Sequence, residues 1–148
     1  MSTRFLLFGF FAVALARITF AQSSPSHAFK PQDLIGEWEG YLVNDDGSKP
    51  SQRTGNVHLI ITADTIKTST QGNQGEGTYH VSPGDGKFHE IEATGTSGHY
   101  AGKVYAGIFT LEGNTLKWCS AEAGWARPKE LKTKFSEGRY LMVLTRKE

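Results

Sequence analysis

The sequence predicts an all-β domain, an antiparallel up-and-down barrel of about eight strands. Short runs of branched and aromatic residues alternate with clusters of Gly, Asn, Asp and Ser. No window carries an apolar stripe of helical period longer than about two turns. Strands joined in order by hairpins would leave exposed edges in a flat sheet, and closure into a barrel removes those edges.

Turn residues divide the chain into the predicted strands. The first strand ends at the signal Asp45-Asp46-Gly47, and the second, at 56–63, contains the strongly branched run 57–62. Glycines within 83–87 and at Gly113 permit the positive φ values that short hairpin loops need. The strands are expected at 35–44, 56–63, 65–70, 75–82, 88–94, 103–111, 115–121 and 139–147.

Two segments depart from this pattern of strands and turns. The polar tract 69–77 is expected to form a long mobile loop. The connection 123–137 is amphipathic, and residues 128–131 are expected to begin one short helix before the last strand, packed on the outside of the barrel. Pro128 suits this position because proline is well tolerated in the first turn of a helix.

The start of the chain carries an export pattern. Arg4 supplies a positive charge, 5–16 is an almost unbroken apolar run, and Thr19-Phe20-Ala21 places small residues before a cleavage site. The run of about twelve apolar residues is shorter than the roughly 20 that a membrane-spanning helix needs. We therefore expect an exported protein, periplasmic or secreted. The expected organisation is a signal peptide at 1–21, a flexible leader at 22–32 and a single barrel domain at 33–148.

Charge argues against a nucleic-acid-binding protein, and cysteine content excludes a domain held by internal disulfides. Arg4 and Arg17 are two of the 16 basic residues, so cleavage would leave 14 against 15 acidic residues and change the net charge from +1 to −1. A chain of this charge has no electrostatic footprint for nucleic acid. Cys119 is the only cysteine, which rules out an internal disulfide, and we expect it to be a small buried strand residue.

Motifs at both ends of the domain carry a resemblance to a known family. Gly36-x-Trp38 on the first strand, with Arg146 closing the last strand, is similar to the lipocalin pattern. In that pattern the Trp plugs the closed end of the barrel and the basic side chain lies across it. Three further runs look more specifically like a family of small exported lipocalin-like domains, common in planctomycete-type bacteria. These runs are 107–119, 127–131 and 141–146.

The resemblance implies an extracytoplasmic barrel in a superfamily that often binds small apolar molecules, and it carries over no catalytic residue. Leu131 departs from the family, which tends to have an aromatic residue there. We therefore expect a non-catalytic binding protein for a small, largely apolar ligand. The alternative is a filled barrel that acts as a protein-interaction or envelope-associated module. Trp125, Tyr100 and Tyr105 would then anchor a partner, or else they cap the barrel mouth.

Strand parity identifies the side chains expected to face the barrel interior. If Trp38 points inward, Gly36 and Gly40 share its face and suggest space around its ring. The closed end is expected to consist of Gly36, Trp38 and Arg146. The inward side chains either line a ligand cavity or simply pack against one another as core. The candidate ligand-binding residues are Trp38, Leu42, Phe109, Trp118, Tyr140 and Met142.

The sequence offers little support for catalysis or metal binding. His80 and His89 lie on opposing strands of one hairpin, but a register shift of one residue would put them on opposite faces. No nucleophile sits on a Gly-x-Ser-x-Gly type of turn. Glu37 and Glu39 share a strand face that we expect to be polar and solvated. We expect no enzymatic activity, no cofactor and no metal.

Overall fold

The computed structural model describes residues 28–51 and 56–148, and these form a closed eight-stranded barrel. Each strand pairs antiparallel with the next in the chain, and β1 pairs with β8 to close the barrel. This confirms the predicted fold class. No helix in the described ranges has the length and apolar character needed to cross a membrane. The strands are β1 Gly36–Leu42, β2 Asn56–Ile61, β3 Thr65–Thr70, β4 Asn73–Ser82, β5 His89–Gly95, β6 Val104–Glu112, β7 Thr115–Ala121 and β8 Arg139–Arg146.

The prediction of a mobile loop at 69–77 is wrong, because this segment forms a tight β-hairpin. β3 runs to Thr70, β4 begins at Asn73, and Thr70 pairs with Asn73 across the turn. Gln71 and Gly72 adopt φ values of 50° and 83°. Two successive residues with positive φ make a turn whose twist matches that of the flanking strands. The sequence hides this turn because Gln, unlike Asn, is not a usual residue in the left-handed region.

The helix expected from Pro128 is also absent. The described helical elements are 3₁₀ turns, and the one before β8 is Phe135–Glu137. Residues 122–134, called here the outer strap, instead lie in irregular conformation against the outside of the barrel. The Thr133 hydroxyl donates to the carbonyl of Val43 at 2.7 Å and accepts from the N–H of Leu141 at 3.0 Å. Bonds from the strap to the barrel replace the internal bonds of a helix.

The single cysteine lies beneath the outer strap. Cys119 has 0% exposure, and its thiol donates to the carbonyl of Lys132 at 3.4 Å. Burial raises the pKa of this thiol above its ordinary value, so it stays protonated at neutral pH. Ile108 and Leu141 pack around it. Cys119 is therefore a small buried strand residue, as expected, and it lies on the outward face of β7.

We expect the Cys119 thiol to react with a maleimide or disulfide reagent at least about 100-fold more slowly in the folded protein than in denaturant. Reaction requires the strap to open, and an opening free energy of about 3 kcal/mol gives that factor. Because the chain has a single cysteine, mass spectrometry reports this site alone. Cys119→Ala supplies the unlabelled control. Equal rates in the two states would show that the strap does not cover the thiol.

The segment 28–32, which the sequence predicts to be part of a flexible leader, takes part in the fold. The Phe29 ring lies 4.3 Å from that of His89 and 5.3 Å from that of Phe109, measured between centroids. Pro31–Leu34 is a 3₁₀ turn that buries Leu34. The folded domain therefore begins before residue 33, because an apolar ring in an otherwise polar segment packs on the end of the barrel. The expected signal peptide at 1–21 lies outside the described residues.

The main core fills the interior of one half of the barrel. Inward positions alternate along each strand as the period of two requires. Trp38, Phe109 and Leu144 have exposures of 0%, 1% and 0%. The other buried members of this cluster are Leu34, Val57, Leu59, Ile61, Ile66, Ile91, Leu116 and Trp118.

Candidate functional site

The two ends of the barrel differ in how they are filled. The end where β2, β4, β6 and β8 finish is called here the closed end, and the other is the open end. At the closed end the indole N–H of Trp38 donates to the carbonyl of Leu34 at 2.9 Å. The guanidinium carbon of Arg146 lies 4.2 Å from the centroid of the Trp38 ring. This stacking shields the ring and contributes about 0.5–2 kcal/mol.

Arg146 also ties the entering chain to the last strand. Its guanidinium donates to the carbonyl of Ile35 at 2.6 Å and to that of Asp33 at 2.5 Å. Gly36 has φ 146°, and a Cβ there would lie 2.5 Å from Nη1 of Arg146. Gly36, Trp38 and Arg146 thus meet at the closed end, and the Arg side chain occupies the space that a side chain at Gly36 would need.

The open end contains a cavity of about 210 Å³ inside the barrel, with almost wholly apolar walls. Its lining includes strand residues deep in the barrel, such as Leu59, Ile66 and Met142, and residues at the mouth. Gly75 and Gly95 contribute only backbone to the wall. The remaining lining residues are Thr68, Glu76, Gly77, Ala93, Thr94, Tyr100, Tyr105, Trp118, Ser120 and Tyr140.

The six predicted ligand-binding residues divide between this cavity and the core. Trp118, Tyr140 and Met142 line the cavity. Trp38 and Phe109 are packed into the buried core at the closed end, and Leu42 packs against that core without lining the cavity. Parity places all six on the inward face, but it does not say how far along the barrel axis each one lies.

Tyr100 and Tyr105 line the cavity at its mouth, the position expected of them if they cap the barrel. Their ring centroids are 6.2 Å apart in an edge-to-face arrangement. The Tyr100 ring also lies against Gly75, where a Cβ would come within 3.4 Å of it. Trp125 does not line the cavity; it is 50% exposed and lies against Gly138.

Trp118 presents ring carbons to the cavity. Its Nε1 is buried and has no hydrogen-bond partner among the described residues. A Cβ at Gly107 would lie 2.6 Å from this nitrogen, so the N–H edge of the indole lies against the backbone of β6. Glycine at 107 is what allows this close approach.

A carboxylate is hydrogen-bonded to one of the side chains that line the cavity. The Tyr140 hydroxyl donates to Oε1 of Glu122 at 2.5 Å, and this bond together with burial raises the pKa of Tyr140 to about 12. Burial, with smaller contributions from Tyr100 and Glu122, raises the pKa of Tyr105. Both phenols are therefore neutral at physiological pH. Among the described residues, no Lys, Arg or His lines the cavity.

The histidine pair of the β4–β5 hairpin does not form a metal site. His80 is exposed and pairs with Glu92, whereas His89 faces inward against Phe109. The two side chains therefore lie on opposite faces of the barrel wall. The sequence alone does not fix the register of this hairpin, and in the observed register His80 pairs with Glu92 and not with His89.

A cluster on the outer face of β1 and β2 is an ion-pair network. Ligand atoms of Glu37, Glu39 and His58 lie within 4.8 Å of one another. The Lys147 ammonium lies 2.9 Å from Glu37 and 3.1 Å from Glu39, so both carboxylates already have a cationic partner. Hydrogen bonds from Lys147 and then His58 lower the pKa of Glu37. These glutamates thus form the polar outward face expected of them.

The geometry consists of a sealed end and a cavity that reaches the opposite end. Comparison of the chain with protein-family models, with curated proteins and with solved structures finds no match. The cavity and its chemistry are therefore the basis on which a function can be assigned.

Proposed function

We propose that this protein is an exported, non-catalytic binder of a small, largely apolar molecule held in the open-end cavity. The observation that carries the proposal is an apolar space of about 210 Å³ inside a barrel whose other end is sealed by Trp38 and Arg146. Export rests on the pattern in 1–21. The lipocalin-like arrangement of Gly36, Trp38 and Arg146 supports the same class of function.

The size of the cavity limits the ligand. An apolar cavity of about 150 Å³ engineered in another protein binds benzene, so 210 Å³ admits roughly one substituted ring or a compact branched chain. A long fatty acid or a haem would not fit without movement of the loops. With about ten non-hydrogen atoms, such a ligand is expected to bind with a Kd of about 1–100 µM.

The chemistry of the lining favours binding over catalysis. Ser120 has a hydroxyl, but among the described residues this hydroxyl donates only to the carbonyl of Ala121, at 3.4 Å. Among the described residues no His or Cys lines the cavity, and the carboxylate of the lining residue Glu76 pairs with Lys67, so no base is hydrogen-bonded to the Ser120 hydroxyl. Single polar groups on an apolar wall are typical of a site that orients a ligand.

A second candidate function is a protein-interaction module. Trp125 and Phe135, both in the β7–β8 connection, are 50% and 52% exposed. Large exposed aromatic side chains are favoured at the centres of protein interfaces. This function would not require a ligand in the cavity.

Native mass spectrometry of residues 22–148, exported by a native or closely related host and purified without detergent, tests the first function. A reproducible extra mass that is lost on denaturation is expected, and its weight would identify the occupant. A clean apo mass, together with no thermal stabilisation by a panel of compact one-ring and branched molecules, would overturn the binding proposal and favour a protein partner.

Filling part of the cavity should weaken ligand binding without removing a packed side chain. Ala93 lines the cavity from β5, and Ala93→Leu is expected to weaken binding at least about tenfold because the added methyl groups occupy ligand volume. Isothermal titration or the bound fraction in native mass spectra measures the loss.

Ala63→Leu is the matched control for this change. Ala63 is exposed in the β2–β3 turn at the closed end, so the same added volume should leave binding unchanged. Equal affinity of the Ala93→Leu and Ala63→Leu proteins would place the ligand outside the cavity.

A further inference from the structure

We infer that the ligand of the open-end cavity is a small organic cation, an ammonium group carried on a compact apolar body. This inference rests on the proposed function and specifies the class of its ligand. It is carried by four aromatic rings around one cavity and by a carboxylate hydrogen-bonded to one of them, with no basic side chain in the lining among the described residues.

The aromatic rings form the first part of the argument. Tyr100, Tyr105, Trp118 and Tyr140 all line the cavity. Aromatic faces attract ammonium groups through the ring quadrupole, and the attraction grows when water is excluded. Because the Trp118 N–H is buried against Gly107, this ring offers the cavity carbon atoms and not a hydrogen-bond donor.

The charges around the mouth form the second part. Glu122 accepts a hydrogen bond from Tyr140, which holds a carboxylate next to the cavity and increases the electron density of the phenol. Glu76 also lines the cavity, although its carboxylate pairs with Lys67 across the outer surface at 3.5 Å. Glu122 is therefore the carboxylate that is hydrogen-bonded to an aromatic side chain of the lining.

The nearby basic side chains are engaged elsewhere. Arg139, adjacent to Tyr140 in sequence, forms ion pairs with Glu137 and Glu130. Lys103 lies at the base of the Tyr100 loop, and its ammonium donates to Nε2 of His99 at 3.2 Å. A carboxylate ligand would lose its hydration in the cavity and find no cation there, which is a costly arrangement.

Three probes of similar size separate the ligand classes. Benzyltrimethylammonium is a cation, neopentylbenzene is its uncharged isostere, and 3-phenylpropanoate is an anion. We expect the cation to bind at least about tenfold more tightly than the uncharged isostere, and the anion to bind most weakly of the three. Competition for a bound fluorescent probe or native mass spectrometry with the 22–148 protein measures the order.

Two variants test the residues that carry the selectivity. Glu122→Gln keeps an acceptor for Tyr140 and removes the charge, so it should weaken the cation about 5–10-fold and leave the uncharged isostere unchanged. Tyr105→Leu should likewise weaken the cation more than the isostere. Glu112→Gln is the matched control, since Glu112 is exposed beside the β6–β7 turn at the closed end and should have no effect.

The outcomes distinguish this inference from the proposed function. If the uncharged isostere or the anion binds as well as the cation, the cation class is overturned while the binding function stands. A Glu122→Gln protein that keeps its full preference for the cation also overturns the inference. If none of the three probes binds, both the cation class and the role of the cavity as a site for molecules of this size are overturned.

Discussion

Trp38→Ala is expected to lower the free energy of unfolding by about 3–5 kcal/mol, as large-to-small changes of buried aromatic residues do. The side chain has 0% exposure, so its removal leaves a cavity at the closed end. It also leaves the carbonyl of Leu34 without the indole N–H at 2.9 Å and the Arg146 guanidinium without the ring on which it stacks. Three losses coincide at one residue, which places the effect among the largest for a single substitution.

Urea unfolding followed by far-ultraviolet circular dichroism measures this change. Trp125→Ala is the matched control, because the same substitution at a half-exposed indole should cost less than about 1 kcal/mol. A loss below about 1 kcal/mol for Trp38→Ala would remove Trp38 from the core and contradict the assignment of the closed end.

Gly40→Ala is expected to cost about 3 kcal/mol or more, at or above the upper end of the usual penalty for overpacking. A Cβ at this position would lie 1.9 Å from the carbonyl oxygen of Val143 and 2.8 Å from Cα of Leu144. These atoms are backbone atoms of β8, so no side-chain rotation relieves the contact. The β1–β8 pairing that closes the barrel would have to open locally.

Gly47→Ala separates this steric effect from the conformational cost of losing a glycine. Gly47 has φ 84° and open space around it, so alanine there should cost about 1–2 kcal/mol from backbone conformation alone. Thermal and urea unfolding of both variants provide the comparison. Wild-type stability of Gly40→Ala would mean that β1 and β8 do not approach each other as closely as described.

Much of the fold could be predicted from the sequence because the strand and turn signals are local. The hairpin glycines and branched runs mark β1 to β8 to within a few residues, and parity identifies the inward faces. The β3–β4 turn was missed because Gln71 adopts a positive φ that its residue type does not favour. The packing of Phe29 was missed because one apolar residue in a polar segment has no periodicity to reveal it.

The candidate site was predictable only in part, because its shape depends on distance along the barrel axis. Gly40 illustrates the difficulty: the sequence suggested space around Trp38, whereas the position of the missing side chain is taken by the backbone of β8. Tyr100 reaches the cavity from a loop, where strand parity gives no direction. The carboxylate of Glu122 beside Tyr140 depends on a contact between residues 18 positions apart in the chain.

The packing of Phe29 and the pairing of Arg146 place both ends of the described chain at the same pole of the barrel. Phe29 packs at the closed end, and the N–H of Lys147 donates to the carbonyl of Glu37 at the start of β1 at 2.8 Å. A tether joined at residue 28 or at residue 148 would therefore hold the barrel with its cavity directed away from the support. Immobilisation on a sensor surface through a tag added after residue 148 should leave the mouth accessible to a soluble analyte.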